Sequence, residues 1–200
     1  MEKDTEAVAL ADGVIIRSAA QRHAAELAIL VDIAAHGFAS WLWYGAVMRG
    51  EVDTAMERGR LRMRDARNND SWKNALVAEI DGEVVGASIG FRVPDSILQE
   101  EPPHPALAPL LALQQRAVGN WFVDSLAVYR AHRGKGIARA LLGHEVSRGE
   151  GRPLSLIAES CNATALRLYE AFGFRQLERR DAFPIHETRE PHQWILMERH

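Results

Sequence analysis

Apolar positions along this chain switch between two periods, and the switches mark out strands and helices. Gly13 to Arg17 alternates as a strand does. Ser18-Ala19-Ala20-Gln21 fits a capping box. The helix behind it brings Ala24, Leu27, Ala28 and Val31 to one face, and His36-Gly37-Phe38 breaks it. Ser40 to Arg49 is apolar and aromatic, with Trp41, Trp43 and Tyr44. Residues 52–66 read as a charged amphipathic helix that sets Val52, Ala55, Met56 and Met63 on one side. Asn74 to Ile80 and Glu83 to Val93 are two strand-like runs joined by Asp81-Gly82, a dipeptide suited to a tight hairpin turn. Pro94 ends the hairpin.

Residues 95–118 carry Pro102, Pro103, Pro105 and Pro109, then a short apolar helix near Leu110 to Ala117. So short a segment cannot build its own core, so it reads as an insertion or lid. Val123 to Leu142 is an apolar strand, a basic glycine turn and a helix. Leu154 to Leu177 begins with a buried strand, followed by Asn162 as N-cap, then Ala165, Leu168, Tyr169 and Phe172 at helical spacing. Gly173 closes the helix in the left-handed conformation. Two final strands, Phe174 to Arg180 and Gln193 to Glu198, are joined by a loop containing Phe183-Pro184-Ile185-His186. Residues 1–12 read as a flexible tail and residues 13–200 as a single domain of mixed α/β class.

The turn in the Val123 segment carries the clearest chemistry. It runs Arg133-Gly134-Lys135-Gly136-Ile137-Ala138. Main-chain N–H groups converge where a helix begins, and the helix dipole adds positive potential. Gly134 and Gly136 have no Cβ to keep a diphosphate away from the backbone. Arg130, Arg133, Lys135 and Arg139 add charge. Two other phosphate-binding turns fail on spacing. A P-loop needs four residues between its glycines and a Ser or Thr after its lysine, and a dinucleotide fingerprint needs glycine where Arg139 stands.

Composition narrows the partners. The formal net charge is −3, so the basic turn is a local patch and not part of a nucleic-acid-binding surface. No apolar run has the length of a membrane span, and the charged start MEKDTEAVALADG is unlike a secretory signal. With one cysteine, Cys161, no internal disulfide forms, and a cytoplasmic setting is expected. Cys161 itself reads as a small buried residue. The eight histidines show no metal-ligand spacing, so no metal is expected.

Arg133, Gly136 and Ala138 fill a pattern that resembles motif A of the GNAT acetyltransferase superfamily. Asn162, Leu168-Tyr169 and Gly173-Phe174 resemble its motif B, in the family's order, and the likeness extends over roughly residues 13 to 199. The resemblance implies a central, mostly antiparallel sheet splayed at a parallel strand pair, with helices on both faces. It implies acetyl-CoA as co-substrate, its pyrophosphate on Arg133, Gly134, Lys135, Gly136, Ile137 and Ala138. The pantetheine arm would pair with the backbone of Leu126, Ala127 and Val128 like an added strand, with Asn162 and Tyr169 beside it.

Acetyl transfer to an amine requires loss of the amine proton, a donor to the thioester oxygen, and a proton for the departing thiolate. By resemblance Tyr169 is the general acid; by spacing alone the core-aromatic reading is the favoured one. The Val128 N–H is the candidate oxyanion donor. Asp124, on the strand before the turn, is the candidate base, against a reading in which it pairs with an arginine. Glu79 is a second candidate, with a solvated strand residue as its plainer reading, and a water chain serves in many relatives. The acceptor pocket is expected among residues 36–49, 95–118 and 181–192, where Trp41, Trp43 and Tyr44 are either lining or core. The expected activity is direct transfer of an acetyl group to a primary amine of a small molecule or peptide. The competing readings are a non-catalytic coenzyme A-binding sensor or partner module and a transferase for a longer acyl group. A homodimer is compatible with the aromatic segments.

Overall fold

The computed structural model describes residues 8–9, 13–184 and 190–200. Residues 1–7 and 10–12 of the expected tail, and Ile185 and His186 of the expected C-terminal loop, lie outside the described residues. The chain forms two compact units, Met1–Gly90 with Asp124–Glu145, and Phe91–Val123 with Val146–His200.

The first unit holds strands β1 (Val8–Ala9), β2 (Ile15–Ser18), β3 (Ala75–Ile80) and most of β4 (Glu83–Arg92), each antiparallel to the next. The β3–β4 turn forms as its dipeptide demands: Asp81 and Gly82 both have positive φ, 51° and 81°. Three helices lie between β2 and β3: α1 (Ala24–Ala34), α2 (Phe38–Met48) and α3 (Ala55–Arg64). Gly37, at φ 86°, separates α1 from α2. At the start of α3, Thr54 Oγ1 accepts the Glu57 N–H and the Glu57 carboxylate accepts the Asp53 N–H. Gly59 on α3 lies flat against the buried Trp43 ring of α2, where any larger side chain would collide with it. Trp43 is therefore core, while Tyr44 is exposed.

Two local expectations are corrected here. Ser18 does not cap α1, because it is committed to β2 opposite Leu76. The entry is closed instead by the His23 ring, whose Nδ1 accepts the Ala20 N–H. The buried face of α1 is Ala24, Leu27, Ala28 and Leu30, with Val31 only half-buried.

The second unit contains α4 (Ala108–Gln115), β6 (Leu154–Glu159), α6 (Ala163–Ala171), β7 (Arg175–Asp181) and β8 (Gln193–Arg199). The segment expected as an insertion closes on itself: Val93 N–H bonds Asn120 O and Gly119 N–H bonds Val93 O. β8 pairs antiparallel with both β6 and β7. Leu156, Ala158, Phe174, Ile195, Leu196 and Met197 are buried around these strands. One polar cluster is held among them, with Asn120 Nδ2 donating to Ser155 Oγ (2.6 Å) and to Glu198 Oε2 (2.7 Å).

Strand β5 (Trp121–Val128) belongs to both units. Its first three residues pair in parallel with β6, from Trp121↔Leu154 to Val123↔Leu156, and Asp124–Val128 continue in the first unit. Helix α5 (Ile137–Arg148) follows the basic turn. Hydrogen bonding joins the strands in the order β1-β2-β3-β4-β5-β6-β8-β7, with β5–β6 as the parallel pair. The class is mixed α/β, a mostly antiparallel sheet flanked by helices.

Candidate active site

The glycine turn stands on the core of the first unit. Val128, the last residue of β5, and Ile137, the first of α5, both join a buried cluster with Val14, Ile16, Leu76, Ala78, Val85 and Leu141. Both ends of the turn are thus fixed by packing, and the residues between them, Arg133 to Gly136, are exposed. Gly134 and Gly136 have φ of 79° and 80°, a region that carries a Cβ only with strain of about 1–2 kcal/mol. Open space lies where either Cβ would stand. These glycines are therefore required by backbone conformation and leave the approach to the backbone clear. Gly136 precedes α5 and has no side chain with which to cap it; the Ala140 N–H bonds back to Gly136 O. The first N–H groups of a helix have no intrahelical acceptor, and here they face an open basic turn suited to an anion.

The geometry of β5 follows from its neighbour β4. A Cβ added to Gly86 would stand 2.9 Å from Ala127 O and 3.1 Å from Val128 Cγ2, so the two backbones meet closely there. Ala127 C=O faces β4, and in a planar trans peptide the N–H points the opposite way. The Val128 N–H is therefore directed away from β4. The next peptide is clamped at both ends: Tyr129 N–H donates to Val85 O (2.9 Å), and Val128 O accepts from Arg133 Nε (3.0 Å). Arg133 thus braces the strand end as well as adding charge. Gly86 escaped the sequence reading, though a glycine inside an apolar strand marks a close backbone approach.

Asp124 lies on the same strand. Solvent reaches it, yet the protein surrounds its carboxyl closely enough that burial pushes its pKa up to about 6. Asp70 adds repulsion in the same direction; the Ser125 hydroxyl, donating at 3.0 Å, and the Arg62 guanidinium oppose it. Arg62 itself bonds Asp70 (Nε to Oδ2, 2.7 Å). Neither Arg62 nor Asp70 was singled out from sequence, because neither belongs to a motif. Glu79 is not a solvated strand residue: it takes a two-pronged bond from Arg17, and His23 Nε2 lies 3.8 Å from its Oε1.

In the second unit, Asn162 caps α6, its Oδ1 accepting the Ala165 N–H at 3.1 Å. Tyr169 is buried, its ring edge-on to Phe174 with centroids 6.0 Å apart. Burial alone raises its phenol to about 12, so it keeps its proton across the physiological range. Cys161 is exposed, contrary to expectation, with Sγ 3.5 Å from Glu159 Oε2. A hollow of about 370 Å³ in this unit is lined by Gly173, Arg175, Gln176, Leu177, Glu198, Arg199 and His200, none of them an expected site residue. Among the described residues no group of three or more His, Cys, Asp and Glu is placed to hold a metal ion, and no single helix is long and apolar enough to cross a membrane.

Residues 45–174 match the Acetyltransferase (GNAT) family. No curated protein matches the chain in sequence. Among solved structures, an N-acetyltransferase from Staphylococcus aureus Mu50 aligns with 20% identity and a TM-score of 0.63, over 92% of this chain and 98% of its own. YncA, a putative acetyltransferase from Salmonella typhimurium solved with its cofactor acetyl-CoA, aligns at 18% identity and TM-score 0.55, over 92% of each chain. Arabidopsis thaliana Naa50, solved with the bisubstrate analogue CoA-Ac-MVNAL, aligns at 15% identity and TM-score 0.55, over 94% of this chain and 99% of its own. At these identities the likeness establishes the fold. The family match, spanning more than half of the chain and both strand–turn–helix corners, establishes the rest: the chain belongs to the GNAT acetyltransferase family, whose acetyl donor is acetyl-CoA.

Proposed function

We propose that the protein moves the acetyl group of acetyl-CoA directly to a primary amine of a small molecule or peptide. The observation that carries this reading is the pairing of an open, basic helix start with a strand end whose Val128 N–H points away from β4. The amides and cations of Arg133 to Ala138 would hold the diphosphate, and the backbone of Leu126 to Val128 the pantetheine arm. Acetyl-CoA supplies the activated acyl group.

Each remaining task falls to a residue suited to it. The Val128 N–H, fixed by the packing of Gly86 on Ala127, donates to the oxygen on which charge develops; a donor already in place needs no reorganisation at that moment. Asp124 takes the amine proton. A carboxylate with pKa near 6 is ionised at neutral pH yet basic enough to accept a proton. Tyr169, protonated at neutral pH, would give its proton to the thiolate and take one back from solvent.

The test is an amine-library assay read by thiol release. Tyr169→Phe should lower kcat roughly a hundredfold on a good acceptor and leave acetyl-CoA affinity unchanged. Unchanged turnover would remove the acid role. Tight acetyl-CoA binding with only slow hydrolysis across the library would favour the coenzyme A-binding module.

A further inference from the structure

Tyr129 is the residue at which β5 becomes the glycine turn, and its contacts extend well beyond that turn. Its N–H bonds Val85 O on β4, and its carbonyl accepts the His132 N–H, both at 2.9 Å. Its hydroxyl donates to Glu26 Oε2 on the first turn of α1 at 2.5 Å. Glu26 and Tyr129 lie 103 positions apart and both are half-buried. A hydroxyl on a carboxylate at this distance is a charge-assisted bond, stronger than a neutral one. Burial and the Glu26 charge hold the phenol well above its ordinary pKa, so the bond is present across the physiological range.

We propose that Tyr129 and Glu26 are a positioning pair that ties helix α1 to the acetyl-CoA turn and keeps that turn in its binding shape. The proposal rests on the reading of residues 133–138 as the acetyl-CoA cradle. Arg130 to Gly136 is largely exposed, and two of its residues are glycines. Such a segment loses much conformational freedom when a ligand orders it. The Val85 and Arg133 bonds fix the peptide at its root; the phenol bond fixes the side chain of the same residue against a separate helix. Neither partner needs to touch the ligand. Their effect is to reduce the ordering that binding requires.

The prediction separates this role from a merely structural one. Tyr129→Phe and Glu26→Ala should each raise the Kd and KM for acetyl-CoA roughly three- to tenfold, the loss of one hydrogen bond, with kcat at saturation unchanged. The double variant should be no worse than either single one, because both remove the same bond. Glu26→Gln, which keeps an acceptor oxygen, should restore most of the affinity. Amide hydrogen exchange across residues 129–138, measured without ligand, should be faster in Tyr129→Phe. Unchanged affinity and exchange, additive losses, or a fall in kcat alone would overturn the proposal. If the wild type fails to bind acetyl-CoA, the cradle reading falls, and the exchange measurement alone decides whether the tie exists.

Discussion

The two strand–turn–helix corners look alike in sequence and differ in how they treat the helix they start. Before α6, Asn162 turns its side chain inward and takes the Ala165 N–H. That corner satisfies one of its own donors. Before α5, the corresponding place is Gly136, which has no side chain, preceded by Gly134 in the same left-handed conformation and by exposed Arg133 and Lys135. That corner has no side chain at the cap position and open space above its backbone. A side-chain cap ties down its helix start, whereas glycines and cations over open space leave room for an anion, the role proposed for them above.

The comparison can be broken most severely at Gly136. Gly136→Glu sets a side chain on a backbone at φ 80° and a negative charge in the cradle. Backbone strain and repulsion together should weaken acetyl-CoA binding roughly a thousandfold in calorimetry. Asn162→Ala should weaken that affinity far less; equal losses at the two corners would erase the distinction.

A smaller effect is expected at Asp124. Activity (kcat/KM) should rise with pH through about 6 as the carboxylate forms. Asp124→Asn should flatten that limb and lower kcat roughly a hundredfold; an unaltered profile would assign the base elsewhere. Stability gives a second readout. The folded state holds this proton more tightly than the unfolded chain, whose carboxyl has its ordinary value of 3.8. The unfolded state therefore loses the proton first, and stability falls as pH rises from about 4 to about 6. Asp124→Asn should gain in Tm relative to the wild type above that window and not below it.

The smallest effect belongs to the capped corner. Asn162→Ala should cost about 1 kcal/mol of stability, a fall in Tm of about 2–4 °C for a chain of this size. Asn162→Asp, which can still cap, should recover most of it. A destabilisation that Asp does not recover would mean that Asn162 acts otherwise than as a cap.

Sequence reading succeeds where chemistry is local. The Asp81-Gly82 hairpin, the Gly37 break, the Asn162 cap and the glycine turn each depend on what a few adjacent residues can adopt, and each stands where the sequence placed it. It fails where the determinant is distant. Ser18 has the look of a cap but belongs to a strand, because pairing with Leu76 outweighs a local side-chain bond. Glu79 looks solvated until Arg17 is brought beside it by the β2–β3 register. The environment of Asp124 depends on Arg62 and Asp70, and the tie of Tyr129 on Glu26; no spacing in the chain announces either. Gly86, inside an apolar strand, signals a close backbone approach, but that the neighbour is Ala127 O is set by a distant strand.

In the proposed function, the backbone amides of the turn at Gly134 to Ala138 grip the diphosphate of the donor. A crystal structure of the protein with coenzyme A tests it directly. Diphosphate oxygens should lie within hydrogen-bonding distance of those amides, with Gly134 and Gly136 still at positive φ. A diphosphate bound elsewhere, or amides in the turn rotated away from it, would rule out that role for the turn.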